Sequence, residues 1–229
     1  MSVPDRITEI NKDTFWTLIE QAKEHCGQDL DASTRWLVDQ LVSMGPEQAQ
    51  NFYDISHGYQ ALAYQYGLWN AASIMRDGCS DDGFLDFRGW LIAQGRDVYF
   101  NALKDPDSLA DVPVYGNCCY ESLSYVGERA YKKLTGHSVY DNFDRNAWQT
   151  LVKELKKDIV YGDGIGYPYP WSEAAAYLPK LCAKYMEPGE LALLIDLRDD
   201  TWNVTHPDVQ AARKNAPKSK KVQDRGDSR

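Results

Sequence analysis

The chain has 229 residues, 43% of them apolar and 26% charged, the composition of one globular domain with short appendages and not of a disordered chain. At this length folding buries roughly 70% of the surface an extended chain would expose, so a core forms without a disulfide or metal staple. The longest apolar runs, such as Leu191 to Ile195, fall far short of the about 20 residues a membrane span needs, and the first residues lack the apolar stretch and cleavage site of an export signal, so a cytoplasmic protein with no membrane contact is expected.

The net charge of −9 is unevenly spread. From Arg213 to Arg229 seven basic residues face two acidic ones, which puts +5 there and −14 on the rest. An acidic body repels phosphate backbones, so contact with nucleic acid is expected only weakly, through the tail. That tail is too polar to repay its ordering entropy and is expected to be disordered. The five cysteines are odd in number, form no C-x-x-C pair and have no metal-finger spacing with the four histidines. They read as small buried side chains in a reducing compartment, and no cofactor or metal is implied.

Taken in chain order, the apolar residues recur at helical spacing. Asn11 or Asp13 caps a segment carrying Phe15, Leu18, Ile19 and Ala22, and Gly27 stops it. A second helix opens at Asp31 to Ser33, carries Leu37, Leu41 and Met44, and breaks at Gly45-Pro46. Pro46 starts a third, with Phe52, Ile55, Tyr59, Leu62 and Tyr66 inward and Gly67 at its end. A fourth follows over Leu68 to Arg76. From Ser80 to Gln94 apolar residues (Phe84, Leu85, Phe87, Trp90, Leu91, Ile92) cover nearly every side, which predicts a central helix. Helices are further predicted over Gly95 to Leu103, over Asn117 to Thr135 with Leu123, Val126, Ala130 and Leu134 inward, and over Asp144 to Asp158 with Ala147, Leu151 and Leu155 inward. Tyr161 to Trp171 is a loop rich in glycine, proline and aromatics; Ser172 to Leu178 is a helix that Pro179 kinks or restarts; Pro188 and Thr205 to Pro207 are further helix starts. The fold class is all-α: one bundle-like domain of short amphipathic helices around a central apolar helix, with a disordered basic C-terminal tail.

Four stretches carry a resemblance: Asp13-Thr-Phe-Trp-Thr-Leu-Ile-Glu20, Gly78-Cys-Ser-Asp-Asp-Gly-Phe-Leu-Asp-Phe-Arg-Gly-Trp-Leu-Ile-Ala-Gln-Gly95, Asp105-Pro-Asp-Ser-Leu109 and Tyr177-Leu-Pro-Lys-Leu-Cys-Ala-Lys-Tyr185. Together they resemble a bacterial family known as a domain of unknown function, DUF4240. The resemblance spans about residues 11–186, with Cys182 standing where relatives are expected to have tryptophan. It implies no activity, cofactor or catalytic residue. The expected organisation is an N-terminal arm over 1–10, a helical domain over 11–212, of which 187–212 is an extension beyond the family-like part, and the basic tail over 213–229.

Two constellations could carry chemistry. On a helix starting at Ser80, Asp82 and Asp86 are i,i+4 neighbours, while Asp81 and Arg88 share another face. Two carboxylates on one face can hold Mg²⁺ or move a proton, so Asp82, Asp86 and Arg88 are the candidates for an acid/base or metal-dependent enzyme. Against this, Ser80 is a good N-cap, Asp81 and Asp82 suit the positive end of the helix dipole, and Asp86 and Arg88 call for partners on neighbouring helices. The second constellation is Tyr161, Tyr167, Tyr169 and Trp171, which either cover the bundle or present a binding platform. The four histidines suit surface or helix-end positions. There is no nucleophile elbow, phosphate loop or calcium loop. A non-catalytic interaction or regulatory module with an unidentified protein partner is therefore favoured over the enzyme, with an immunity-type inhibitor of a basic protein as a special case.

Overall fold

The computed structural model describes residues 7–167 and 174–186. Its regular structure is helical, with no strand among those residues. In chain order the helices are α1 (Lys12–Cys26), α2 (Leu30–Met44), α3 (Pro46–Leu62), α4 (Tyr66–Met75), α5 (Asp81–Ala93), α6 (Arg96–Lys104), α7 (Val126–Thr135), α8 (Arg145–Lys156), α9 (Ala174–Tyr177) and α10 (Pro179–Tyr185). Short 3-10 turns fill Pro106–Asp111, Gly116–Cys118, Glu121–Tyr125 and Val139–Asn142. No helix among the described residues is long and apolar enough to cross a membrane.

Local chemistry sets most boundaries. Asn11 caps α1 by accepting from the N–H groups of Asp13 and Thr14, and Asp144 caps α8 in the same way. The cap of α2 is Asp29, which accepts from Ala32 N, so this helix starts ahead of the expected Asp31 to Ser33. Helix α3 ends at Leu62 and not at Gly67. Gly67 lies inside α4, where its N–H donates to Ile165 O at 2.8 Å and a Cβ would come within 2.9 Å of Ile165 Cγ1; the glycine serves close approach of the later loop, not termination. The single helix expected over 117–135 is broken because Gly116, Asn117 and Cys118 all have positive φ, and helix resumes only at Val126. Leu134, expected inward, is 38% exposed. Pro179 restarts a helix instead of kinking one. The helix starts expected at Pro188 and Thr205 to Pro207, and the tail over 213–229, lie outside the described residues.

The core sits between α1, α3, α4, α5 and α6. Trp16, Tyr59 and Tyr99 pack with ring centroids 4.8 to 5.3 Å apart, and Trp69 stacks on Phe84 at 5.0 Å. The expectation that α5 is apolar on nearly every side is corrected at Leu85, which is exposed, while Phe84 and Phe87 to Ile92 are buried. Helix α4 is the more enclosed of the two, buried at every residue from Gly67 to Met75.

Helix α3 packs against α2, α5, α7 and α8. Two glycines set how closely. A Cβ at Gly127 would come within 2.6 Å of Tyr53 Cβ and 2.8 Å of Ala49 O, so α7 lies directly on the α3 backbone. A Cβ at Gly58 would come within 2.7 Å of Leu155 Cδ1, so α8 meets α3 through its C-terminal half. At the other end of the molecule, buried Asp107 accepts from Lys180 N at 3.1 Å and Leu181 N at 2.9 Å and fastens α10.

Candidate functional site

The acidic residues around α5 take separate partners. Tyr64 donates its hydroxyl to Asp81 Oδ1 at 3.2 Å, Asp82 is exposed on the first turn, and Asp86 accepts from the Cys119 thiol at 3.4 Å. Arg88, 7% exposed, donates to Phe84 O at 3.2 Å and to Gln60 O on α3 at 2.8 Å. Its guanidinium lies 4.8 Å from the centre of the Tyr64 ring and 5.0 Å from that of Phe84. Burial pulls its pKa below the ordinary guanidinium value. Among the described residues no group of three or more His, Cys, Asp or Glu side chains is arranged to hold a metal ion.

Other residues of that motif make contacts within the helix and to its neighbours. Ser80 Oγ accepts from Gly83 N at 3.1 Å as the N-cap, Arg76 donates to Gly83 O, and the Trp69 indole donates to Cys79 O at 2.8 Å. A Cβ at Gly89 would come within 2.5 Å of Tyr120 O, and Tyr120 N donates to Asp86 O at 3.0 Å. These residues wire α5 to α4 and to the 116–125 segment.

The aromatic loop divides. Tyr161 is half-buried and donates to Leu62 O at 2.9 Å, a contact that fits the covering role. Tyr167 is 52% exposed. Tyr169 and Trp171 lie outside the described residues. All five cysteines are free, with Cys79, Cys118 and Cys182 buried. His57 is half-buried, its ring 3.9 Å from that of Tyr53, and burial lowers its pKa.

A concavity lies elsewhere among the described residues, where α3 and α8 part. Beyond their contact at Gly58 and Leu155, the N-terminal halves of both helices line a cleft of about 520 Å³, a size suited to small ligands or peptide side chains. Pro46, Glu47, Gln50, Asn51 and Asp54 come from α3, Tyr131 from α7, Phe143 and Asp144 from the turn before α8, and Ala147, Trp148 and Leu151 from α8. The predicted α8 stripe emerges from the core in steps: Leu155 is buried, Leu151 half-buried, Ala147 exposed. Phe143 is 48% exposed and its ring centroid lies 6.4 Å from that of Trp148.

The polar side of the cleft is acidic. Glu47, Asp54 and Asp144 line it, and no lysine, arginine or histidine does. Gln50 Nε2 donates to both oxygens of Asp54 at 3.2 Å, while Gln50 Oε1 is buried with no hydrogen-bond partner. Burial raises the Asp54 pKa above the ordinary carboxylate value, and the Gln50 bond opposes this only in part. Aromatic rings beside carboxylates are the groups that bind organic cations. Sequence reasoning missed this site. Gln50 and Asp54 are an ordinary i,i+4 polar pair in the sequence, and the one available signal was Trp148, which widens the α8 stripe of Ala147, Leu151 and Leu155.

Searches of the curated proteins and of the solved structures find no match. The model of a family of proteins of unknown function, DUF4240, matches residues 10–133, more than half of the 229 residues. The matched span holds the α3 wall of the cleft, Tyr131 and the whole α5 motif, and stops before α8. The chain belongs to the DUF4240 family.

Proposed function

We propose that this chain is a non-catalytic interaction module that receives a basic, apolar segment of a protein partner in the α3–α8 cleft. The observation that carries this reading is the composition of the cleft, in which Tyr131, Phe143, Trp148 and Leu151 face a rim whose charged groups are all carboxylates. The −14 charge outside the last 17 residues would speed encounter with a basic partner and disfavour acidic ones. An inhibitor that neutralises a basic protein is one form such a module takes. A cytoplasmic setting suits the five unpaired cysteines. The enzyme reading through Asp82 and Asp86 gains no comparable support, since Asp86 is engaged by Cys119 and Asp82 stands exposed on its own turn.

The test is calorimetric titration of the full chain with capped peptides of matched apolarity and varied charge. Basic peptides are expected to bind, and Trp148→Ala to weaken them about tenfold or more, as loss of a central aromatic contact does. Equal binding of acidic and basic peptides, or no binding of either, would contradict the reading.

A further inference from the structure

The carboxylate at the head of the cleft is under-used. Both contacts from Gln50 Nε2 to Asp54 are 3.2 Å long, at the weak end of N–H···O geometry, and an ionised carboxylate accepts about four hydrogen bonds. The same amide leaves its Oε1 buried without a partner, a state that native structures rarely keep. Asp54 therefore keeps spare acceptor capacity on the cleft wall, beside the Gln50 amide that orients it. Across the cleft stand the Phe143 and Trp148 rings, tilted 52° to each other, with Tyr131 also on the wall. A ligand that suits all of these is a flat, delocalised cation with several divergent donors. A guanidinium has that shape: it meets a carboxylate with two parallel bonds, keeps further N–H groups for a carbonyl, and stacks on aromatic faces, whereas an ammonium is compact and more strongly hydrated.

We propose that the α3–α8 cleft anchors one arginine side chain of the partner, its guanidinium held by Asp54, which Gln50 positions, and flanked by Phe143 and Trp148. This deepens the interaction-module reading and rests on it. Apolar residues beside that arginine occupy the Leu151 and Pro46 sides of the cleft, and Glu47 and Asp144 keep the rim attractive to a cationic segment. The occupant is a partner in trans.

Calorimetry of the full chain with three capped tripeptides tests this: Leu-Arg-Leu, Leu-Lys-Leu, and Leu-citrulline-Leu, in which a neutral isostere replaces the guanidinium. The arginine peptide is expected to bind about 10- to 100-fold more tightly than the citrulline peptide, the loss that accompanies removal of a charge-assisted hydrogen bond. Asp54→Asn should bring the arginine peptide down to the citrulline level and leave the citrulline peptide unchanged; a purely structural role would weaken both alike. Gln50→Met should lower arginine affinity in the same selective way, and thermal melts of both variants confirm that they fold. Equal affinity for arginine and citrulline overturns the anchor and leaves the module reading standing. Lysine binding as tightly as arginine overturns the guanidinium assignment, and no binding of any peptide overturns anchor and module together. A dimer in sedimentation that Asp54→Asn dissociates would give the cleft to a second copy, and a tenfold gain in affinity on deleting residues 213–229 would give it to the chain's own tail; each overturns the proposal.

Discussion

Asp54 holds a carboxylate part-way out of water, with the Gln50 amide as its hydrogen-bond donor. Because burial raises its pKa, the folded chain holds that proton more tightly than the unfolded chain does. The associated stability is full below the ordinary value of 3.8 and is lost as pH rises through the raised folded value, so the ionised side chain is a liability at neutral pH. Asp54→Asn is accordingly predicted to leave the melting temperature at pH 7 unchanged or higher while removing preference for a cationic ligand. A drop in melting temperature would make Asp54 a structural residue. A bound cation favours the ionised form, so affinity is predicted to fall as pH is lowered through the Asp54 titration. Calorimetry at pH 7 and near pH 4 measures this, with Glu47, Asp144 and Tyr131 the other titratable groups lining the cleft. The buried thiols make a separate residue-scale prediction. Burial pushes both Cys79 and Cys118 up to about 11, so their thiolates form only in strong alkali. Alkylation at pH 8 in the folded chain should be slow at both and accelerate on unfolding; rapid labelling of either in the native state would contradict their placement.

Among the elements, α3 carries the most consequence, because Gly58 on it and Gly127 facing it decide where its neighbours rest. An alanine at Gly127 meets backbone, Ala49 O at 2.8 Å and Tyr53 Cα at 2.9 Å, so α7 must shift, at a cost of about 1–3 kcal/mol. Gly58→Ala meets only the Cδ1 end of Leu155, at 2.7 Å, with Val152 Cγ2 further off at 3.7 Å, and should cost less. Thermal melts of the two variants check the order, with each kcal/mol expected to lower the midpoint by about 2–4 °C; a larger loss at Gly58 would reverse the packing account. Asp107→Ala removes the acceptor for Lys180 and Leu181 and should cost about 0.5–2 kcal/mol, as loss of a helix cap does.

At this scale much of the fold was legible. Spacing and caps locate α1, α3 and α8 because each has one buried face and a side-chain cap or leading proline. The break at Gly116 to Cys118 was hidden because Asn117 and Cys118 adopt positive φ under tertiary constraint, which a helical apolar period does not reveal. The depth of α4 was hidden too. Asn70 and Ser73 lower its apparent apolarity, yet both are buried. The cleft was invisible for a further reason: its second wall is α8, about ninety residues later in the chain than Asp54, and no local pattern encodes that meeting.

Considered whole, the molecule separates scaffold from surface. The stretch that stands out in the sequence, Gly78 to Gly95, is committed to internal contacts through Ser80, Gly83, Arg88 and Gly89, while the concavity forms at a helix junction of unremarkable composition. The −14 charge outside the tail acts over the whole surface, so peptide binding should weaken as salt is raised from low to physiological strength and the Debye length shortens to about 8 Å. The proposed recognition lies between α3 and α8 and not at the acidic end of α5. Amide and indole NMR shifts of the full chain, followed while the Leu-Arg-Leu peptide is added, test it most directly. Saturable changes at Gln50, Asp54, Tyr131 and the Trp148 indole are predicted, with Asp81, Asp82 and Asp86 unmoved; changes centred on those three aspartates, with α3 and α8 silent, would contradict it.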